Sequence, residues 1–297
     1  MATLRELKGR ISSVASSEKI TGAMKMISSA KMHKAEAALR RLVPFRSQIE
    51  TIIGNLLSSD AEFASPLVTA RADVKTAAIV VWGSDEGLCG AYNVNVYKQL
   101  VVHLQTLRDT LGAQARIVVM PIGKKMAKTV SHLKLAGVSV QAAPDGIDSK
   151  ADGKKVVEFM QTLQHSFADH TFDRVDVLYM KYYSAGRQRP VYSQLLPILP
   201  SEFQKAGAGQ ATGRPYLFEP NPNAIFNAVL PLYLMAVMQD IFSENSASEQ
   251  AARVMAMQSA NDNAKNLLDQ LQLEYNKLRQ QSITSELLDI VGGQVRD

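Results

Sequence analysis

The chain has 297 residues, 46% of them hydrophobic, which is enough to bury a sizeable core in one large or two ordinary domains. Its formal charge of +5 permits an anionic partner but does not choose among nucleic acid, a membrane surface and an acidic protein face. The single cysteine, Cys89, excludes an internal disulfide, and because the charged N-terminus has no apolar core of signal-peptide length, we expect no export signal.

A long helix is predicted at the N-terminus. Thr3 followed three residues later by Glu6 forms a capping box, so the helix should begin at Leu4. Its apolar residues keep helical spacing with two phase shifts. The predicted stripe is Leu4, Leu7, Ile11 and Val14, then Ile20, Met24 and Ile27, then Ala35, Ala38, Leu42, Phe45, Ile49, Ile52 and Leu56. We expect a bend, or at worst a break, at Pro44, because proline removes an amide donor and crowds the preceding turn.

This N-terminal segment also carries an excess of positive charge. Its first 50 residues contain ten basic and four acidic side chains. Two interpretations stay open, a solubilising face and a track that faces an acidic protein. Nucleic acid is a weaker candidate, because no aromatic residues alternate with the basic ones.

After a linker at 58–73, the middle of the chain alternates between strand-like and helix-like segments. Short runs rich in Val, Ile and Tyr predict strands at 74–82, 116–122, 137–141 and 174–183, with an edge segment at 191–199. Helical patterns lie between them at 93–111, 124–133 and 149–168. Strands that alternate with helices indicate parallel βαβ units in a three-layer, Rossmann-like α/β domain.

The first predicted strand ends in the turn 83–90, where a doubly wound sheet would bind a nucleotide. The glycine spacing does not fit G-x-G-x-x-G, and no Gly-Lys-Ser/Thr follows to hold a triphosphate. The sequence therefore favours a structural or contact turn over a nucleotide site. We expect Asp173 and Asp176 to be capping or solvated, and Cys89 to be a small buried thiol. We find no catalytic set, no zinc pattern among the histidines and no cofactor motif.

A second long helix is predicted after the glycine-rich connection Lys205–Arg214. Asn221 is its expected cap and Pro222 lies in the first turn. The helix should kink at Pro231 and end near Val291, before Gly292 and Gly293. Residues with the spacing of a helix wound against another helix predict its contact line: Ala264, Leu268, Leu271, Tyr275 and Leu278. Its most apolar part, 225–238, is about 14 residues long, short of the roughly 20 that a membrane-spanning helix needs, so we expect a buried core helix.

Both terminal helices have an apolar stripe and are longer than the domain between them, at about 80 Å and about 100 Å if continuous. The economical solution is that they wind on each other. The predicted fold is therefore α/β, with a long antiparallel coiled coil of the N- and C-terminal helices and a central Rossmann-like α/β domain. We expect 1–60 and 220–293 to form the coiled coil and 74–204 to form the central domain.

Several motifs along the whole chain resemble the γ-subunit family of bacterial F-type ATP synthases. They are Lys-Ile-Thr-Gly-Ala-Met-Lys-Met at 19–26 with Ser-Ala-Lys-Met at 29–32, Ser-Asp-Glu-Gly-Leu-Cys-Gly at 84–90, Ser-Glu-Gln-Ala-Ala-Arg at 248–253, Tyr-Asn-Lys at 275–277 and Arg-Gln-Gln-Ser-Ile-Thr-Ser-Glu-Leu at 279–287. The terminal motifs are long and ordered, so they are specific. The central motif alone would be weak.

The resemblance implies a rotor shaft with no catalytic residues of its own. It would couple rotation of the membrane ring, driven by protons or sodium ions, to successive conformations of the catalytic β subunits. The implied partners are the ring of α and β subunits, the ε subunit and the c-ring, with no nucleic acid and no membrane insertion. The implied location is peripheral, on the cytoplasmic face of the bacterial inner membrane.

The resemblance also implies contact residues. Met24 and Lys25 would lie near the lever of β, and Arg279 and Gln280 would grip β. Arg253 would lie on the same coiled coil. Asp85 and Glu86 would lie in the turn near the acidic loop of the stator. Two positions depart from the family, since Glu86 replaces a usual basic residue and Gly22 a common lysine.

Two other functions remain open on the residues alone. One is an enzyme that binds a nucleotide through its α/β domain and dimerises through its helices. The other is a coiled-coil scaffold that grips an anionic membrane or filament.

Overall fold

A computed structural model describes residues 3–58, 62–112, 114–144, 146–199, 203 and 218–294 of the protein, with side chains as far as Val291. The predicted glycine-rich connection Lys205–Arg214 lies outside these residues. The elements in chain order are α1 Leu4–Leu57, β1 Thr76–Trp82, α2 Tyr92–Leu111, β2 Arg116–Ile122, α3 Lys124–Val130, β3 Val138–Val140, α4 Gly153–Ala168, β4 Arg174–Ser184, β5 Arg187–Leu196 and α5 Pro222–Gln294. The predicted strands and helices are thus confirmed, with shifted ends.

The chain divides into two compact units. The helical unit consists of Met1–Ser29 and Arg253–Asp297, and the α/β unit consists of Ala30–Ala252. The helices α1 and α5 contribute to both units.

The α/β unit is built on a five-stranded sheet of order β3-β2-β1-β4-β5. The first four strands are parallel, as βαβ connections require. β5 pairs antiparallel with β4 and forms the predicted edge. It begins at Arg187, four residues before the expected start, because the chain turns back immediately after Ser184 and forms a hairpin that the sequence analysis did not predict.

Two hydrophobic clusters cover the two faces of this sheet. On one face, α2 and α3 bury apolar side chains such as Leu100 and Met126. On the other face, α4 packs together with parts of α1 and α5, which contribute Ile53 and Leu230. The terminal helices are therefore part of the core of the α/β unit, as an added layer on its sheet.

The parts of α1 and α5 in this unit run antiparallel. Arg46 of α1 bonds Asp240 of α5, whereas Ala64, just beyond the end of α1, bonds Asn223 near the start of α5. As residue numbers rise along one helix, they fall along the other. This is the predicted orientation of the coiled coil.

In the helical unit, α5 confirms its predicted contact line. From Asp262 to Gln281 the only positions that are not exposed are Ala264, Leu268, Leu271, Tyr275 and Leu278. They alternate in steps of four and three, the spacing of a seam along which two helices meet.

The predicted stripe of α1 is wrong in part. Ala35, Ile49 and Leu56 are buried, as predicted, but four other residues of the stripe are exposed. Ile20 and Ile27 are 59% and 56% exposed, and Phe45 and Ile52 are also exposed. In the helical unit the buried line keeps its heptad spacing instead of changing phase, and passes from Leu7 and Ile11 through Thr21 to Ser28. Small polar residues therefore occupy the seam where apolar residues were expected.

The helix ends show whether the capping residues predicted from the sequence are correct. Thr3 and Glu6 exchange backbone-to-side-chain bonds of 2.8 and 3.2 Å, and Asn221 Oδ1 accepts from Ala224 N at 2.8 Å, so both caps are confirmed. α1 continues through Pro44 and α5 continues through Pro231.

The predicted end of α5 near Val291 is wrong. The helix continues through Gly292 and Gly293 to Gln294, because glycine permits a left-handed cap but does not impose one.

Candidate functional site

The crevice where a doubly wound sheet would hold a nucleotide is filled by the protein's own C-terminal helix. β1 lies between β2 and β4, so the order of the sheet reverses at the carboxyl ends of β1 and β4. Asn245 of α5, 2% exposed, lies at this point. Its Oδ1 accepts from Tyr92 Oη at 2.6 Å and from Met180 N at 3.2 Å, and its Nδ2 donates to Gly83 O at 3.5 Å.

A second side chain of α5 strengthens this attachment. Ser248 is fully buried, and its hydroxyl donates to Met180 O at 2.8 Å. Asn245 and Ser248 together satisfy both backbone groups of Met180, which lies beyond the last β4 residue paired with β1. The position that would hold a ligand in this type of fold therefore holds α5 against the sheet instead. We call these contacts of Asn245 and Ser248 the crevice plug.

The turn after β1 is held rigid from inside. Asn93 accepts from Ser84 N at 3.1 Å and donates to Ser84 Oγ at 2.7 Å. Gly83 is required by close packing, since a Cβ there would lie 2.3 Å from Met126 Cβ. Cys89 is buried, as predicted, and Leu88 is 61% exposed. The turn therefore presents Leu88 outward from a fixed frame.

Asp85, a predicted contact residue, is engaged within the α/β unit. Its Oδ1 accepts from Lys124 N at 2.9 Å at the start of α3. Its Oδ2 accepts from Ser149 N at 3.1 Å and from Ser149 Oγ at 2.6 Å. This carboxylate joins three segments of the chain, so it builds the turn.

Glu86 lies beside Asp85 and is exposed. Its Oε1 is 2.7 Å from Lys150 Nζ, with both side chains more than 60% exposed. The hydrogen bond and charge of Glu86 raise the pKa of Lys150. A basic side chain therefore stands next to the position where the sequence departs from the family pattern.

The other predicted contact residues lie on the helical unit and do not form one site. Met24 and Lys25 are half-buried in α1, Arg253 is 6% exposed, and Arg279 and Gln280 are exposed. Arg253 and Arg279 are separated by 26 positions of one helix, about 39 Å at 1.5 Å per residue. These residues are therefore separate positions along the helical unit, and Arg253 among them is buried.

Gln280 borders a shallow surface depression with polar walls. Lys277, Gln281, Thr284 and Ser285 are the other residues that line it. Thr284 Oγ1 donates to the backbone carbonyl of Gln280 at 2.9 Å, and the side chain of Gln280 is exposed. Amides and hydroxyls can exchange hydrogen bonds with a partner without being buried permanently.

The seam of the helical unit contains one buried amide. Asn261, 8% exposed, donates to Glu18 O at 2.7 Å and approaches Thr21 Oγ1 at 3.3 Å. Gly22 lies against the same side chain, and a Cβ there would be 3.4 Å from Asn261 Nδ2. A buried polar residue at a seam position specifies the register of two helices.

The paired carboxylates of β4 differ from the prediction in part. Asp173 accepts from Lys75 N and Thr76 N at 2.9 Å and pairs with Arg71, which fits a capping role. Asp176 is fully buried, so the expectation that it is capping or solvated is wrong. It pairs with Arg174 and accepts from Tyr192 Oη at 2.6 Å, because β5 covers it.

Among the residues that the structure describes, no group of three or more His, Cys, Asp and Glu side chains could hold a metal ion. One helix in the same residues, Pro222–Val291, is long and apolar enough to cross a membrane by length and composition alone, and 44% of its most apolar stretch is buried in the protein. Its apolar residues Phe226, Leu234 and Met238 pack in the core of the α/β unit. A core helix meets the same criterion of length and composition.

Comparison with known proteins gives consistent matches over the whole length. The family model described as ATP synthase matches residues 3–295. The ATP synthase gamma chain of Phocaeicola vulgatus is 39% identical over 294 residues, which covers 99% of each chain. The ATP synthase gamma chain of Bacteroides thetaiotaomicron is 38% identical over 306 residues and covers 100% of each chain.

A solved structure shares the fold. It is a chain of the Euglena gracilis mitochondrial ATP synthase, in a cryo-EM structure of OSCP, F1 and the c-ring. The TM-score is 0.61 with 18% identity, over 98% of this chain and 93% of that chain.

Proposed function

The chain belongs to the ATP synthase gamma chain family, and from that membership we propose that it is the rotating central shaft of the F1 sector. The shaft couples ion-driven rotation of the membrane ring to successive conformations of the catalytic β subunits. It contributes no catalytic residue of its own.

The crevice plug is the observation that carries this proposal. A Rossmann-like domain that bound a nucleotide would keep the carboxyl ends of its strands open. Here Asn245 and Ser248 occupy that position and bond the backbone of β4 and of the turn after β1. Such contacts suit a domain that passes force to a helix, and they oppose the rival proposal of a nucleotide-dependent enzyme.

Each segment of the chain has its own proposed role. Segments 1–60 and 220–293 form the coiled-coil shaft, and 74–204 forms the domain that the membrane ring turns. The partners are the α and β subunits around the shaft, and the ε subunit and c-ring at the domain. The location is peripheral, on the cytoplasmic face of the bacterial inner membrane.

The surface of the helical unit supports contacts that form and break. Ile20, Met26 and Ile27 are each more than half exposed, on α1 positions that the seam does not use. Lys19 and Lys25 lie among them and suit an acidic partner surface. We propose Met24, Lys25, Arg253, Arg279 and Gln280 as contacts with β along this surface, and Asp85 and Glu86 as part of the turn that faces the stator.

The decisive experiment is co-expression of the tagged chain with α and β subunits of a bacterial F1 sector. We expect a stable assembly that co-purifies and hydrolyses ATP continuously. If the three proteins do not co-purify, the shaft proposal is wrong.

Two further measurements separate the rival functions. Calorimetry of the isolated chain with ATP should give no binding heat, whereas a nucleotide-dependent enzyme would bind. Flotation of the isolated chain with anionic liposomes should leave it unbound, whereas a membrane scaffold would float with the lipid.

A further inference from the structure

A partly open polar cavity lies within the α/β unit, between α1, α5 and the strands β4 and β5. Its volume is about 210 Å³. The charged and titratable residues at this cavity come from three elements: Arg46 and the adjacent Glu50 from α1, Tyr179 and Lys181 from β4, and Tyr233, Asp240 and Glu244 from α5. β5 contributes only uncharged side chains, including Ser193 and Gln194.

Two acceptor oxygens at this cavity are left unsatisfied. Asp240 is 6% exposed, and its Oδ2 accepts from Arg46 Nη1 at 3.2 Å. Among the described residues, Asp240 Oδ1 and Glu244 Oε2 are buried without a hydrogen-bond partner. A buried carboxylate oxygen without a donor is costly, so each oxygen needs a hydrogen, which water in the cavity or a proton on the carboxyl group supplies.

The surrounding charges favour binding of a proton over binding of a metal ion at these oxygens. Arg46 and Lys181 already supply two positive charges at the cavity. Asp240 and Glu244 are four positions apart on one helix, where like charges repel. Protonation of one carboxylate removes this repulsion and turns an acceptor into a donor.

We propose that Asp240 and Glu244 form a proton-binding site that controls how tightly α1 and α5 hold the sheet. A cavity of this size has room for several water molecules, at roughly 30 Å³ each, through which a proton enters. The proton neutralises one of two neighbouring carboxylates and leaves Arg46 paired. This inference concerns the chain itself and does not depend on its role as a shaft.

The direction of both titrations agrees with this site. Burial raises the pKa of Asp240, against the opposing effect of Arg46. Burial also raises the pKa of Glu244, against Lys181 and a hydrogen bond from Tyr179. A carboxyl group whose pKa is raised by folding binds its proton more tightly in the folded state. Stability from these groups is therefore complete below the ordinary pKa of roughly 4 and is lost as the pH rises through the raised value.

Thermal unfolding of the full chain against pH tests the site. The melting temperature of the wild type should fall as the pH rises above the ordinary carboxyl pKa of roughly 4. Glu244→Gln, which fixes a neutral side chain of the same shape, should lose most of that shift and melt higher at the upper end. Glu158→Gln is the matched control, because Glu158 is exposed on α4, and it should retain the wild-type shift.

Infrared titration provides an independent measurement, because a protonated carboxyl group absorbs at a different wavenumber from a carboxylate. Glu244→Gln or Asp240→Asn should remove one carboxyl band that titrates above the ordinary carboxyl range in the wild type. Burial also raises the pKa of Asp176, so its band serves as an internal standard that both variants retain. If both variants keep every band and Glu244→Gln keeps the full pH shift of the melting temperature, the proposed site does not exist.

Discussion

Replacing Asn245 with alanine tests the crevice plug directly. The substitution leaves Tyr92 Oη and Met180 N, both in the core, without their shared acceptor. Each orphaned group costs about 1–3 kcal/mol. Alanine returns up to about 0.7 kcal/mol of helix propensity, so the net loss in the free energy of unfolding should be roughly 1–5 kcal/mol.

Urea unfolding of the full chain measures this loss, followed by the fluorescence of its one tryptophan. Trp82 is fully buried beside the plug, at 5.7 Å between ring centroids from Phe242 of α5. A loss of about 3 kcal/mol at a slope of about 2 kcal/mol per molar would lower the urea midpoint by about 1.5 M. The slope itself should not change, because the surface exposed on unfolding is the same.

Asn263→Ala is the matched control, because Asn263 is an exposed asparagine of the same helix. The substitution gains the same helix propensity and loses no buried contact. The free energy of unfolding should therefore change by no more than about 0.5 kcal/mol, and the urea midpoint should move little. Equal midpoints for the two variants would refute the reasoning, since the bonds of Asn245 would then contribute nothing.

Three further predictions follow from the described contacts. Replacing Arg279 and Gln280 together with alanine should lower ATP turnover of the assembly while circular dichroism of the isolated chain is unchanged, and unchanged turnover would remove both as contacts with β. Asp85→Ala should lower the free energy of unfolding by about 2–4 kcal/mol because three hydrogen bonds are lost, and Asp85→Asn, which keeps an acceptor, should lose less. Equal urea midpoints for Asp85→Ala and the wild type would contradict this. Gly83→Ala should cost about 1–3 kcal/mol because its Cβ would overlap Met126, whereas Gly87→Ala has open space and should be neutral; similar losses for both would contradict the close-packing argument.

Structural features that depend on only a few neighbouring residues could be predicted from the sequence. The reciprocal bonds of Thr3 and Glu6 and the cap at Asn221 depend only on side chains within one helical turn. The contact line through Leu268 and Leu271 could also be predicted from the sequence. Apolar residues at heptad spacing form this contact, and the same spacing is visible in the sequence.

Features that depend on the second helix could not be read in this way. A search for apolar periodicity follows Ile20 and Ile27, but the partner helix fixes the buried face, and that face passes through Thr21 and Ser28. These small polar residues bury little apolar surface, so they give no hydrophobic signal.

The crevice plug was missed for a similar reason. Asn245 looks like one more amide on a polar helix, and only the folded sheet brings Tyr92 and Met180 to it. A weak signal was present in retrospect, because small residues recur at 247, 248 and 251 beside it and permit close approach to a strand.

The occupied crevice has a consequence for how the molecule responds to the cell. The concentrations of adenine nucleotides change with metabolism. In a domain of this fold with an open nucleotide pocket, the fraction of pockets that are occupied would change with those concentrations. Here the ligand is a side chain on the same polypeptide, present at a fixed ratio of one to one. The stiffness of this joint is therefore independent of the energy charge that the surrounding machine produces.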